Sequence, residues 1–248
     1  MNDIKDNNRH LDKVTTFVCL DIETTGLNPE TDKIIEIGAL KVKDKKIVGQ
    51  FNEFINPNIP LSPKIIQLTG ITNDMLDSAK EEEEVIKRFL EFVGDDILIG
   101  HNLIFDYSFI KIAAQKVNNA FERKGIDTLF LSKKLLPGQK SKSLTNLCHY
   151  FNITNENAHR AYDDAKATTY LYVNLSNLFH SRQPNIFQPK SLHYKVKKPQ
   201  SITTQQRNYL LRLIKYHNIN DIEITEHLSK SDASKLIDKI ISERGKMN

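Results

Sequence analysis

An α/β layered domain with a mixed sheet, followed by a small helical module, is the architecture this sequence predicts. Three observations carry that reading. Short apolar runs of strand length alternate with longer stretches whose apolar residues recur at helical spacing. The first three strands come as a meander before the alternation begins, which mixes antiparallel with parallel pairing. A break rich in proline and lysine then separates two amphipathic segments from the rest. At 248 residues the chain suits one large domain and one small one.

Each element has a local reason. "FVCL" (17–20) is apolar throughout and ends at Asp21, as a short buried strand does. "IIEIGALKV" (34–42), with a polar break at Glu36, and "IVGQFNEFINP" (47–57) read as a hairpin turned by "KDKK" (43–46). "SPKIIQLTGITNDML" (62–76) carries Pro63 and Gly70 and reads as short helical pieces. In "KEEEEVIKRFLEFVG" (80–94), Val85, Ile86, Phe89, Leu90 and Val93 form one helical stripe. Its acidic run sits where the helix dipole favours negative charge and needs no functional role. "ILIG" (97–100) is another buried strand. A helix is expected from about Ile104 to Val117, then a strand leading to Asp127, then helices around 128–135, 143–151 and 160–180.

Residues 181–202 hold three prolines and several lysines and read as a linker. Thr203 to Gln206 fits a capping box ahead of a stripe of Tyr209, Leu210, Leu213 and Ile214. Ser231 is the expected cap of a last helix bearing Ala233, Leu236, Ile237, Ile240 and Ile241. The expected boundaries are an N-terminal extension over 1–14, the main domain over 15–180, the linker over 181–202 and the module over 203–248.

Hydrophobic residues at 39% and charged residues at 27% supply a core and exclude global disorder. No run approaches the roughly 18 apolar residues of a membrane span. The opening "MNDIKDNNRH" has no apolar signal core. Cys19 and Cys148 lie in apolar contexts without metal-ligand spacing, so buried reduced thiols are expected, with a disulfide as the alternative. These readings point to a cytoplasmic protein with no membrane partner. Charge is uneven: residues 1–180 hold 22 Lys and Arg against 25 Asp and Glu, whereas residues 181–248 hold 13 against 6. A net of −3 followed by +7 suggests either a polyanionic partner for the tail or a solvated lysine-rich surface.

Four acids stand out by position. Asp21 and Glu23 are two apart after the first strand, so on an extended backbone they face the same way. Two like charges buried together call for a cation between them. Asp106, in "GHNLIFD", is an acid in an apolar stretch that follows a strand; His101 and Asn102 can equally be a helix entry with Asn102 as cap. In "HRAYDDAK", Asp163 and Asp164 are neighbours, and neighbours on a helix point about 100° apart. Asp164 lies on the stripe of Ala161, Ala165 and Thr168, while Asp163 is rotated toward solvent. His159 sits just ahead of that helix. Carboxylates from three segments suit hard cations such as Mg²⁺ or Mn²⁺. Two such ions clamp a phosphodiester, and a neutral histidine can take a proton from the attacking water.

The stretches "FVCLDIETTGL", "GHNLIFD" and "HRAYDDA" resemble the three motifs of the DEDDh (DnaQ-like) 3′–5′ exonucleases. The resemblance covers roughly residues 15–178. It is nearest to the proofreading exonuclease domains of the PolC and epsilon type and their free-standing relatives. "LTGIT" (68–72), "IDTLFLSKKLLP" and "SLTNLCHYFNI" add context. It implies a ribonuclease H-like fold, a mixed central sheet flanked by helices, and two divalent cations, Mg²⁺ or Mn²⁺. It also implies that Asp21 bridges both ions, that Glu23 and Asp164 complete the first site, and that Asp106 supports the second. His159 would be the general base; the position four before Asp164, where the tyrosine subclass has its tyrosine, is Arg160. Thr24, Thr25, Gly26 and Leu27 would lie against the terminal nucleotide, Leu68 and Thr69 would form a second wall, and Asn102 and Phe105 a third. Asp127 matches a frequent family aspartate and is read as structural.

The implied reaction is hydrolysis of the 3′-terminal phosphodiester of single-stranded or frayed DNA, releasing nucleoside 5′-monophosphates in replication proofreading or repair. A 3′–5′ exoribonuclease acting on RNA ends is the alternative within enzymes, and a non-catalytic nucleic-acid-binding module the alternative outside them. The tail is expected to hold nucleic acid near the active site or to dock on a DNA polymerase, on another replication or repair protein, or on a second copy of the chain.

Overall fold

The computed structural model of the protein describes residues 11–195, 201–219, 222, 224, 225 and 228–247. It divides into a first unit ending at Tyr194 and a second from Lys195 onward. The first unit is built on seven strands: β1 (Phe17–Thr24), β2 (Ile34–Lys43), β3 (Lys46–Asn56), β4 (Lys80–Glu81), β5 (Leu98–Gly100), β6 (Lys124–Asp127) and β7 (Lys190–Ser191). They lie in the order β4-β3-β2-β1-β5-β6-β7. β1, β2 and β3 pair antiparallel, and β1, β5 and β6 pair parallel, so the expected mixed sheet is present.

The meander folds for local reasons. Lys43 pairs with Lys46, and Asp44 and Lys45 both take positive φ (48° and 66°), the backbone a two-residue hairpin turn demands. β1 is longer than expected: it runs through Asp21 and Glu23 instead of ending before them. Its alternation divides the core. Val18, Leu20 and Ile22 face α3 (Glu82–Val93) and α4 (Leu103–Lys116). Phe17 and Cys19 face the opposite layer, formed by α5 (Thr128–Leu135), α6 (Leu144–Phe151) and α7 (Ala161–Phe179). Asp21 and Glu23 continue that second face, beyond the end of its apolar packing. The short helices α1 (Pro63–Thr69) and α2 (Asn73–Asp77) break at Gly70, whose φ of 70° suits glycine.

Several expectations need correction. Lys80 and Glu81, read as the head of a helix, form β4 at the sheet edge. The segment read as a linker from 181 instead belongs to the first unit up to 194. It holds a 3₁₀ turn (Pro184–Phe187) with Phe187 fully buried, then β7 antiparallel to β6. The expected extension over 1–14 lies outside the described residues up to 10, while Val14 packs on the core and its carbonyl accepts from the Tyr172 hydroxyl. Both cysteines are buried and unpaired, so the disulfide alternative falls.

The second unit pairs α8 (Thr204–Tyr216) with α9 (Lys230–Arg244). Leu210, Leu213, Ile219 and Ile240 form its small core. The capping box at Thr203 is complete, with Gln206 reciprocating. The cap of α9 is Ser229, whose hydroxyl accepts from the Asp232 N–H; Ser231 lies inside the helix. Among the described residues no helix is long and apolar enough to cross a membrane.

Candidate active site

The site is assembled from β1, α4 and the approach to α7. Ligand atoms of Glu23, His159 and Asp164 lie within 4.8 Å of one another. Asp106 is buried at the start of α4 and reaches the sheet directly: its Oδ1 accepts from the Ile22 N–H at 3.1 Å. That bond lies between the two β1 acids in sequence. It answers what partner an acid in an apolar helix would find.

Asp164 is buried, as its place on the inward stripe requires. Its Oδ1 accepts from Asn155 Nδ2 at 2.6 Å and its Oδ2 from the His159 backbone N–H at 3.1 Å. Asp163 points elsewhere and accepts from Asn157 Nδ2 at 2.9 Å. His159 is exposed and takes φ 67°, a left-handed conformation uncommon outside glycine. Its backbone is thus turned so that the N–H bonds Asp164 while the ring stands beside Glu23.

Gly38 lies across the β1–β2 ladder from Asp21. A Cβ there would collide with the backbone of Ala161 and Tyr162, so only glycine lets α7 settle this deeply on the sheet. Glu36, across from Glu23, is fully buried. Its carboxylate accepts from Arg160 Nε and Nη2 at 3.2 and 2.9 Å and from the Ala161 N–H at 3.1 Å. Glu36 therefore caps α7 from a neighbouring strand, since Arg160 at the N-cap position supplies no side-chain cap. The hint was the one acid inside "IIEIGALKV", read only as a polar break. Asn155 had no sequence signal.

The electrostatics call for a cation. The Asp21 carboxyl is pushed well above the ordinary carboxylate range, first by burial and then by Asp106, Asp164, Glu23 and Glu36. Glu23 is pushed up to about 8 by burial and the same neighbours, with only Arg160 opposing. Asp106 and Asp164 are raised mainly by burial. Arg160 is already committed to Glu36. This crowding of carboxylate oxygen suits a hard divalent cation, which Glu23 and Asp164, whose ligand atoms converge with that of His159, could hold.

The remaining residues expected at the site divide. Thr24 and Thr25 build the turn after β1: the Thr24 hydroxyl donates to the Gly26 carbonyl at 2.6 Å, and Thr25 Oγ1 accepts from the Lys33 N–H at 2.9 Å. A Cβ on Gly26 would press on the Asp32 carboxylate, which packs against it. This turn holds Leu27 out at 84% exposure. Leu68 is also exposed, but Thr69 is turned inward, its hydroxyl donating to the Ile65 carbonyl and accepting from the Ile71 N–H. Asn102 occupies the N-cap position of α4 at φ 71° but makes no side-chain cap; its backbone N–H donates to Asp127 Oδ1. Phe105 is half-buried against Phe109. Asp127 is structural: it caps α5 by accepting from the Leu129 N–H at 2.8 Å.

The family model described as exonuclease (RNase_T) matches residues 18–172, well over half of the chain. The chain belongs to this exonuclease family. Its β1, α4 and α7 acids all fall inside the matched span. Among curated relatives, the PolC-type DNA polymerase III of Caldanaerobacter subterraneus subsp. tengcongensis is 46% identical over 159 residues, which is 64% of this chain and 11% of that one. The same polymerase of Listeria monocytogenes serovar 1/2a is 37% identical over 239 residues, 91% of this chain and 17% of that one. The exonuclease chain thus spans only a small fraction of these relatives.

Two solved structures share the ribonuclease H-like fold. Exonuclease X in complex with 5′ overhanging duplex DNA superposes at a TM-score of 0.56 with 24% identity, covering 69% of this chain and 99% of its own. The nuclease domain of 3′hExo, a DEDDh family member bound to rAMP, superposes at 0.58 with 21% identity, covering 72% and 98%. The DnaQ-like resemblance read from the three motifs is therefore upheld, as is the exonuclease class.

Proposed function

We propose that this exonuclease shortens single-stranded or frayed DNA from its 3′ end, releasing nucleoside 5′-monophosphates, with two Mg²⁺ or Mn²⁺ ions as cofactors. The observation that carries the reading is the convergence of Glu23, His159 and Asp164 within 4.8 Å, with Asp21 and Asp106 raised beside them. DNA is favoured over RNA because the curated relatives are DNA polymerases.

Asp21, Glu23, Asp106 and Asp164 would hold the cations. Bound there, the ions supply charge neutralisation at the phosphoryl oxygens and lower the pKa of water. The chain's own residues do the rest. His159, exposed beside Glu23, accepts a proton from the attacking water as the new P–O bond forms. The P–O3′ bond breaks, and the departing 3′-oxygen takes a proton from solvent. Asn155 and the His159 N–H keep both Asp164 oxygens aimed. Leu27, held in solvent by a hydrogen-bonded turn, offers a surface for the terminal base; Leu68 and Phe105 are further candidates for contact. Thr69 serves that wall through its backbone, its hydroxyl being engaged within the fold. The process served is replication proofreading or repair, with a DNA polymerase or another replication or repair protein as the partner.

The test is direct. The protein is incubated with 5′-labelled single-stranded DNA and RNA of one sequence and Mg²⁺ or Mn²⁺, and products are resolved by length. Stepwise 3′ shortening of DNA, lost in Asp164→Ala and kept in Asp163→Ala, is expected. Preferential shortening of RNA would replace the substrate assignment. Intact strands that remain bound would leave a binding module in place of an enzyme.

A further inference from the structure

From Ser181 to Asn220 the chain contains no Asp or Glu, yet eight Lys and Arg. A uniform spread of the chain's 31 acids would put about five there. The described part of the second unit shows where some of that charge is displayed. On α8, Leu210 and Leu213 are buried in the small core. The opposite stripe of Gln205, Asn208, Leu211, Arg212, Lys215 and Tyr216 is exposed. Helical spacing aligns these residues along one face. Leu211 and Tyr216 on this stripe are 49% and 51% exposed, so the face sets apolar groups beside its cations.

Neither Arg212 nor Lys215 makes an ion pair among the described residues; the Arg212 guanidinium lies 5.9 Å from the Tyr209 ring centroid. α9 differs, because Asp232, Asp238 and Glu243 interleave with its four basic residues. Among the described residues, then, the α8 stripe carries positive charge without an acid of its own, whereas α9 carries both signs.

We infer that the exposed face of α8 is a second binding site for single-stranded nucleic acid, separate from the exonuclease centre. Arg212 and Lys215 meet backbone phosphates, Gln205 and Asn208 supply amide hydrogen bonds, and Tyr216 offers a ring on which a base stacks. Such a face selects a polyanion carrying flat apolar groups over a merely acidic protein. The inference rests on the proposed nucleic-acid substrate, since covalent attachment of a second site raises the local concentration of the strand whose end is hydrolysed.

The experiment uses the full chain. Binding of a labelled 30-nucleotide single strand is measured in chelator at several salt concentrations, for wild type, Arg212→Gln/Lys215→Gln, Tyr216→Ala and, as a control on α9, Lys239→Gln. Hydrolysis of the p-nitrophenyl ester of thymidine 5′-monophosphate, a single nucleotide with no strand for a second site to hold, is measured in Mn²⁺. The double variant should weaken strand binding at least fivefold. It should also lower the slope of log K against log salt by about 1.4, two phosphate contacts at ~0.7 each. Tyr216→Ala should weaken binding with the slope unchanged, and ester hydrolysis should be unaffected in all. An unchanged affinity and slope in the double variant, or an equal loss in Lys239→Gln, would overturn the site. Absence of ester hydrolysis in the wild type, with the binding differences intact, would instead overturn the proposed catalysis and leave this site standing.

Discussion

The two halves of the acidic site are held by different physics. Asp21 and Glu23 stand in β1, paired residue by residue with β2, while β5 pairs with the same strand just before them, at Val18 and Cys19. The strand ladder fixes them, and no single contact decides where they point. Asp164 and His159 sit on the first turn of a helix and the loop before it. Their placement depends on a few polar contacts, from Asn155, the His159 N–H and the Glu36–Arg160 pair, and on the missing side chain of Gly38. The sheet half is set by cooperative pairing. The helix half is set by contacts that can be removed one at a time, so it is where activity and stability should separate.

The largest effect is expected in the sheet half. Asp21→Asn should lower kcat by about 10³-fold or more, several kcal/mol of transition-state stabilisation. It should leave the metal-free fold at least as stable, because it removes one of several crowded like charges. Thermal melts beside single-turnover rates check this; a rate within tenfold of wild type would break the assignment. Gly38→Ala should act on both halves together. Displacing the Ala161 and Tyr162 backbone should cost about 1–3 kcal/mol in stability and move Asp164 off its partners. Denaturant melts and kcat should fall in parallel, and an unchanged kcat would show that α7 need not sit so close.

A pH series sharpens the comparison. An acid whose pKa is raised on folding makes the folded state hold the extra proton, so stability falls as pH rises from the unfolded value toward the folded one. For Glu23 that window runs from about 4.3, its unfolded value, to about 8. Asp21, Asp106 and Asp164 are shifted the same way. The melting temperature in chelator should therefore decline from pH 5 to 8, less steeply in Glu23→Gln, and saturating Mg²⁺ should remove the decline. A decline of equal steepness in Glu23→Gln would contradict the role of that carboxyl.

Smaller still is Asn155→Ala. Losing one hydrogen bond to a carboxylate should cost about 1.5 kcal/mol, read as a roughly tenfold lower kcat with weaker cation dependence. Asp163→Asn, whose partner is a surface asparagine, should change rate and stability least of all.

What the sequence disclosed followed the range of each interaction. The apolar run of β1, the stripe of α3 and the capping box at Thr203 are local, and each stands in the structure. So does the inward placement of Asp164 rather than Asp163, which follows from helical geometry. The readings that failed depended on distant partners. Residues 184–191 look like a linker because their prolines and lysines are local facts. What makes them structural is the burial of Phe187 and the edge of β6. Ser231 lost the cap of α9 to Ser229, a choice between two good caps that composition cannot make.

By itself, then, the sequence pointed to most of the element types, to a main domain followed by a small helical module, and to the five residues proposed for the exonuclease centre. Periodicity and motif spacing reside in neighbouring positions. Only the tertiary structure decided how those residues are held. Glu36 caps a helix 125 positions away, Asp106 receives the N–H of Ile22 from 84 positions away, and Gly38 owes its identity to the backbone of Ala161 and Tyr162. Those pairings are absent from any local window, because burial and close approach exist only once the sheet and α7 have come together.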